Sequence, residues 1–226
     1  MPAPAETVTR SSRSRRLALA AAVLCWLGFA LIAWAVTTGH TTAFDKAGLL
    51  FWHDGGQNAS AAPRGLERMR DITALGGTLL RNVFALGAVA ALLFLRRKRE
   101  AALFALTVIS GWIADGWLKA FFARPRPDLV QHLTQAGGYS FPSGHSFNAA
   151  LIYLAMALTF AALSQRRSVR FMLIASAVVM SMAIAWSRVW LGVHWPSDVM
   201  AGWLGGAGWA LMAHALFHRP PRLPDQ

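Results

Sequence analysis

Cysteine is almost absent from this chain: Cys25 is the only one. A single cysteine excludes an intramolecular disulfide and argues against a metal site built on thiolates. Cys25 itself reads as an inert buried side chain inside an apolar run. Charge is scarce too. Only 14% of the residues are Asp, Glu, Lys or Arg, 55% are hydrophobic, and the mean hydropathy is +0.40. That composition excludes an ordinary soluble domain. Acidic residues are the scarcest charged class, 10 against 22 Lys and Arg, for a formal net charge of +12. No repeat of the solenoid kind is visible. His40, His53, His132, His214 and His218 lack metal-ligand spacing.

What the chain does have is long apolar runs. Residues 17–36 carry no charge over a length that crosses a bilayer core. Further candidates lie at about 72–95, 101–118, 147–163, 169–186 and 199–217. The pattern predicts an all-α polytopic membrane protein, a six-transmembrane-helix bundle, with the core around the third to sixth spans. The first run and its basic flank imitate a secretory signal, with Ala33-Trp34-Ala35 as a cleavage motif. Its length and the spans that follow favour a retained first helix.

The basic excess would point to nucleic acid on a soluble fold. Here it clusters at 10–16, 96–99, 166–170 and 219–222, all of which a six-span chain keeps on one side. The opposite loop, 37–71, sets Lys46, Arg64, Arg68 and Arg70 against Asp45, Asp54, Glu67 and Asp71, and the charges cancel. The positive-inside rule then predicts cytoplasmic termini and no nucleic-acid partner, with some basic residues touching anionic lipid heads. The expected division is a mobile basic tail at 1–16, a membrane domain at 17–218 and a second tail at 219–226. In the outer loop, Gly55-Gly56, Asn58 and Pro63 mark turns, and residues 49–52 are expected on the membrane surface. Arg81 interrupts the second span; it reads as a side chain near the outer end that snorkels or meets a carboxylate.

Three motifs are chemically loaded. The third span runs into Lys119 and Arg124-Pro125-Arg126-Pro127, where proline stops the helix. Pro142-Ser143-Gly144-His145 opens the fourth span. Residues 187–198, S-R-V-W-L-G-V-H-W-P-S-D, join the fifth to the sixth, with Pro196 suited to a first helical turn. A helical turn there puts His194 and Asp198 on one face. A carboxylate behind an imidazole fixes its tautomer and raises its nucleophilicity, and Arg188 offers a fork of donors that suits phosphate. The predicted topology brings all three motifs to the outer boundary. Taken singly they read as interfacial anchors (Lys119, Arg126), a helix-start polar group (His145) and a capped turn (His194, Asp198). Jointly, three cations, two histidines and a carboxylate are a phosphate site. Phosphoryl transfer needs mainly positioning and charge stabilisation, which three fixed cations can supply. Ser143-Gly144 ahead of a helix is an anion seat. One histidine must start neutral and the other protonated, which predicts a bell-shaped pH–rate profile.

Lys119-x6-Arg126-Pro127, Pro142-Ser143-Gly144-His145 and Ser187-Arg188-x5-His194-x3-Asp198 resemble the three signatures of the type 2 phosphatidic acid phosphatase superfamily, with no signature position substituted. The resemblance implies that His194 is the nucleophile, forming a phosphohistidine that Asp198 orients, and that His145 is the general acid. It implies phosphate-binding roles for Lys119, Arg126, Ser143, Gly144 and Arg188, and neither metal nor cofactor. It suggests a lipid monophosphate or diphosphate as substrate: undecaprenyl diphosphate, slightly favoured by an outer-facing site, phosphatidylglycerol phosphate or phosphatidic acid. Asp115 is read as a structural partner of Lys119, Arg124 and Asp128 as tuners of head-group choice, and Trp195 as packing beside the site. The competing readings are a lipid phosphotransferase, a vanadate-dependent haloperoxidase, a non-catalytic transporter or lipid-binding protein, and an intramembrane serine protease built on Ser143. Short loops suggest a bacterial inner membrane by analogy.

Overall fold

The computed structural model describes residues 4–53 and 63–217; Gly55, Gly56, Asn58, His218 and the second tail lie outside them. All the regular structure among the described residues is helical. The helices are α1 (Pro4–Thr37), α2 (Thr42–Phe51), α3 (Pro63–Leu75), α4 (Thr78–Phe94), α5 (Lys98–Phe122), α6 (Gly144–Leu163), α7 (Arg167–Trp190) and α8 (Pro196–Phe217). Among the described residues five stretches are long and apolar enough to cross a membrane: Ser14–Thr37 within α1, and α5 to α8. The sixth span is a bent pair, in which α3 and α4 meet at 43°.

The second span, expected at about 72–95 with Arg81 as its interruption, is instead broken ahead of Arg81. The break falls at Gly76-Gly77, and its physical cause is close packing. A Cβ at Gly76 would run into the Ile184 side chain and come within 3.4 Å of His145 Cδ2. The Tyr153 hydroxyl donates to the Leu75 carbonyl freed by the break (2.9 Å), so the interruption leaves no orphan acceptor there. Arg81 sits in the first turn of α4, its guanidinium 5.9 Å from the Trp112 ring centroid, and forms no ion pair among the described residues.

Two other expectations change. Helix α1 begins at Pro4, ahead of the span at Ser14, so most of the stretch expected to be a mobile tail is helical; proline at a first helical position and the Ala, Glu and Arg that follow are compatible with a helix. The 49–52 patch does not lie wholly on the surface. Leu49 is fully buried against Ala185, Val189 and Val199, while Phe51 and Trp52 are exposed. Cys25 is half-buried against the main core and unpaired.

Helix α6 is the centre of the bundle. Its residues Phe147, Ala149, Ala150, Leu151 and Ile152 are fully buried, and α5, α7, α8 and α4 all pack on it. Helix α8 lies between α1 and α6. Its glycines set the distance: a Cβ at Gly206 would collide with the Phe147 carbonyl, and one at Gly205 would stand 2.8 Å from the Phe147 ring. Small residues let membrane helices approach backbone to backbone. That close seam fixes the start of α6 against the start of α8, where two of the three motifs lie.

Candidate active site

The third motif straddles a helix–turn–helix. Arg188 is in the last turn of α7, residues 191–195 make the turn, and α8 begins at Pro196. Gly192 takes φ +75° in the turn, and a Cβ there would meet the Gln131 carbonyl at 2.9 Å. The position thus suits glycine for both conformation and space. His194 stands just ahead of α8 and Asp198 is in its first turn, so the two meet across a helix start rather than along one helix. The Asp198 carboxylate reaches back to the Trp195 backbone N–H (Oδ2, 3.0 Å), which satisfies one of the amide donors left free at a helix start.

His194 is 2% exposed. Its Nδ1 lies 3.4 Å from Asp198 Oδ2 and 3.4 Å from Ser140 Oγ. Ser140 Oγ in turn donates a short hydrogen bond to Asp198 Oδ2. With the ring proton on Nδ1, facing the carboxylate, the Nε2 lone pair points the other way, where Arg126 Nη1 donates to it at 3.1 Å. Burial pushes the imidazolium down to about 4, against the opposing pull of Asp198 and with further lowering by Arg126 and Arg188. At neutral pH His194 is an uncharged imidazole with its free nitrogen turned toward cations.

The three cations are held without anions of their own. Arg126 donates to the carbonyls of Gly137 (2.7 Å), Val193 (2.8 Å) and Gly138 (3.1 Å). Lys119 Nζ donates to the carbonyls of Pro142 (2.6 Å) and Tyr139 (3.3 Å). Arg188, 3% exposed, donates from Nη1 to Thr73 Oγ1 (2.8 Å), and its Nε has no partner. None of the ion pairs among the described residues involves Lys119, Arg126 or Arg188. Asp115 partners Lys119 at a distance, through charge and not through a direct ion pair; its Oδ2 accepts from Asn148 Nδ2 (3.1 Å), and Lys119 Nζ donates to the loop carbonyls. Three fixed positive groups, none in direct contact with a carboxylate, make a site that suits a dianion.

The second motif closes the site. Ser143 caps α6: its Oγ accepts from Ser146 Oγ (2.9 Å) and from the Ser146 amide (3.5 Å), which leaves its own proton free to donate. The Ser143 amide donates to the Asp198 carbonyl (2.9 Å), tying the starts of α6 and α8 together. A Cβ at Gly144 would stand 3.0 Å from Lys119 Cε, so the bare backbone lets the lysine lie across the helix start. His145 follows, half-buried, with no side-chain hydrogen bond among the described residues. Among those residues no group of three or more His, Cys, Asp or Glu side chains is placed to hold a metal ion.

The structure brings together all eight residues expected from the motifs, and adds five. Ser140 and Thr73 hold Asp198 and Arg188, as above. Arg124, expected to tune head-group choice, is engaged by residues behind the nucleophile. Its Nη1 donates to Asp198 Oδ1 (2.6 Å) and Ser197 Oγ (2.8 Å), and its Nη2 to Asp45 Oδ2 (2.7 Å). Asp45, from α2, also accepts from the Ser197 amide (2.9 Å) and Ser197 Oγ (2.7 Å). Asp128 is exposed. Trp195 packs beside the site as expected, its ring 5.5 Å from the Arg124 guanidinium and its Nε1 donating to Pro125. Nothing in the local sequence marks Asp45, Thr73 or Ser140, since their partners are remote in the chain; Arg124 had a signal only in its place inside the first motif.

A family model described as the PAP2 superfamily matches residues 99–222, more than half of the chain and all three motifs. The chain belongs to the PAP2 superfamily. That membership makes it a multi-pass membrane protein of a phosphoric ester hydrolase family. Phosphatidylglycerophosphatase B of Bacillus subtilis (strain 168) is 34% identical over 144 residues, 60% of this chain and 67% of that protein. Lipid A 1-phosphatase of Rhizobium johnstonii is 37% identical over 131 residues, 53% of this chain. The match spans about half, 48%, of that relative's length. A crystal structure of a transmembrane PAP2-type phosphatidylglycerolphosphate phosphatase from Bacillus subtilis superposes with a TM-score of 0.77 at 28% identity, over 86% of this chain and 94% of that one.

Proposed function

We propose that this PAP2 protein hydrolyses a lipid phosphomonoester or diphosphate at the outer face of the membrane through a phosphohistidine on His194. The observation that carries the reading is a set of three cations with no direct carboxylate contact, gathered with a neutral imidazole whose free nitrogen is turned toward Arg126. Lys119, Arg126 and Arg188 bind the phosphoryl oxygens, with Ser143 Oγ and the Gly144 amide as further donors. His194 Nε2 attacks phosphorus while the Nδ1 proton stays with Asp198, which stabilises the cationic phosphohistidine. His145 gives its proton to the departing oxygen. It then takes a proton from water as the water oxygen attacks phosphorus and the N–P bond breaks, so that phosphate leaves and both imidazoles are restored. The cations carry the charge stabilisation a metal supplies elsewhere. The lipid tail stays in the bilayer while its head group reaches the site.

Phosphatidylglycerol phosphate is the first substrate to test, because the Bacillus subtilis relative and the solved structure reported above are named for it. The experiment is phosphate release in detergent, with chelator present, from phosphatidylglycerol phosphate, undecaprenyl diphosphate and phosphatidic acid. Wild type is compared with His194→Ala. Release that the substitution abolishes supports the reading, and the panel ranks the lipids. Release that survives His194→Ala overturns the nucleophile. No release until an acceptor lipid is added would make the protein a phosphotransferase.

A further inference from the structure

The loop before α6 and the helix α2 contribute Arg124 and Asp45, neither of them a signature position, to a charge network that ends on Asp198. Asp198 divides its two oxygens. Oδ2 faces the nucleophile side, where Ser140, the Trp195 amide and His194 converge on it. Oδ1 is taken by Arg124 at 2.6 Å. Arg124 is held in turn by Asp45 at 2.7 Å, and Asp45 is 1% exposed. Asp45 reaches this place from a part of the chain 152 residues before Ser197, whose amide and hydroxyl it also accepts. The three charges, of which Asp45 and Asp198 are buried and Arg124 half-buried, sum to one negative. Arg124 alone would cancel Asp198 and leave His194 without an anion. Asp45 offsets Arg124, so that Asp198 is clamped and its charge is still available to the imidazole.

We propose that Arg124 and Asp45 are a positioning pair for the nucleophile: Arg124 locks the rotation of the Asp198 carboxylate, and Asp45 sets how much negative charge stands behind His194. The inference deepens the proposed function and rests on His194 being the nucleophile. Outer partners of metal-bound histidines typically change activity by about 10–100-fold when removed, and the same scale is expected for a carboxylate-backed nucleophile. A clamped carboxylate also keeps the imidazole ring in one plane, so the effect falls on turnover and not on substrate binding.

The two members of the pair have opposite electrostatic consequences. Removing Arg124 leaves two negative charges behind His194 and stabilises its imidazolium. Removing Asp45 leaves a neutral Arg124–Asp198 pair and destabilises it. The other groups facing His194 are Arg126 from the loop, Arg188 from α7 and His145 from α6, with Lys119 of α5 acting on Asp198; all stay in place in both variants.

The test uses the full chain in detergent with two readouts. The first is phosphate release from phosphatidylglycerol phosphate. Arg124→Gln is expected to lower kcat by about 10–100-fold with KM little changed, and to move the acid limb of kcat/KM toward neutral pH. Asp45→Asn is expected to move that limb to lower pH. The second readout needs no substrate: the titration midpoint of His194 by NMR of 15N-histidine-labelled protein, assigned by comparison with His194→Ala. It should rise in Arg124→Gln and fall in Asp45→Asn. Because either substitution leaves a buried charge without its partner, the double variant Arg124→Gln/Asp45→Asn is the safeguard. It removes opposite charges together, so the His194 midpoint should return toward wild type while kcat stays low for want of the clamp. Wild-type kcat in Arg124→Gln, or midpoints that shift the same way or not at all, would overturn the pair. A wild type inactive on every lipid but with the opposed midpoints would overturn the proposed activity and leave the pair standing.

Discussion

At the scale of single residues, His194 makes the sharpest claim. Its folded-state imidazolium lies at about 4, against an ordinary value of 6.5, chiefly because it is buried. Between those two values an unfolded chain binds a proton that the folded one refuses. Stability therefore falls as pH drops from about 6.5 to about 4, by about a few kcal/mol at most from this group, and levels off below. The thermal midpoint of wild type should decline over that window, and that of His194→Asn should decline less. The same burial predicts that the acid limb of kcat/KM lies well below pH 6.5; a limb at the ordinary histidine value would contradict a neutral, buried nucleophile. Arg188 makes a second claim. It is held by one hydrogen bond to Thr73, with Nε free. Arg188→Lys keeps the charge and loses the fork, and kcat should fall by about 10²–10³-fold, the cost of a missing donor to developing negative charge. Thr73→Val should give a smaller loss, since it only releases the guanidinium.

At the scale of elements, the site depends on how closely α8 lies against α6. Gly206→Leu would drive a side chain into the Phe147 carbonyl. The helices must part, and overpacking of this kind costs about 1–3 kcal/mol. The expected outcome is a lower thermal midpoint together with a kcat loss, because Ser143 and His145 ride on α6 and Asp198 on α8. Gly87, whose added Cβ would meet nothing within 4 Å, is the control: Gly87→Ala should change neither. This scale also shows what the sequence could disclose. Spans made of long uncharged runs were legible because bilayer thickness sets their length, and α5 to α8 fall where hydropathy put them. The eight motif residues were legible because their chemistry repeats at fixed spacing. The break at Gly76-Gly77 was not, because its reason is the Ile184 side chain more than a hundred residues away. Leu49 looked like a surface residue for a similar reason: the cavity it fills is made by α7 and α8. Asp45, Thr73 and Ser140 are single polar residues without a pattern, and only the fold gives them partners.

At the scale of the whole molecule, the helix directions put the three motifs at one end of the bundle. The loops at 96–97 and 164–166 lie at the other. That far end is also where basic side chains bind the end of α8: Arg15 donates to the Ala215 carbonyl (3.0 Å) and Arg99 to the Phe217 carbonyl (2.9 Å). Cations at a helix C-terminus complement its dipole, and cations beside a span tend to stay in the cytoplasm. Two independent physical preferences therefore agree on which end carries the positive charge, and we propose that the phosphate site faces away from the cytoplasm. The single cysteine makes the test direct. With Cys25→Ser as background, Asp128→Cys places a thiol on the exposed loop beside the site, and Gln165→Cys places one on the exposed loop at the opposite end. In intact cells a membrane-impermeant maleimide should label position 128 and spare 165, and permeabilisation should expose both. The reverse pattern would turn the molecule over. It would put the hydrolysed head group in the inner leaflet, and the lipid panel would then have to be drawn from phosphates made and consumed on the cytoplasmic side.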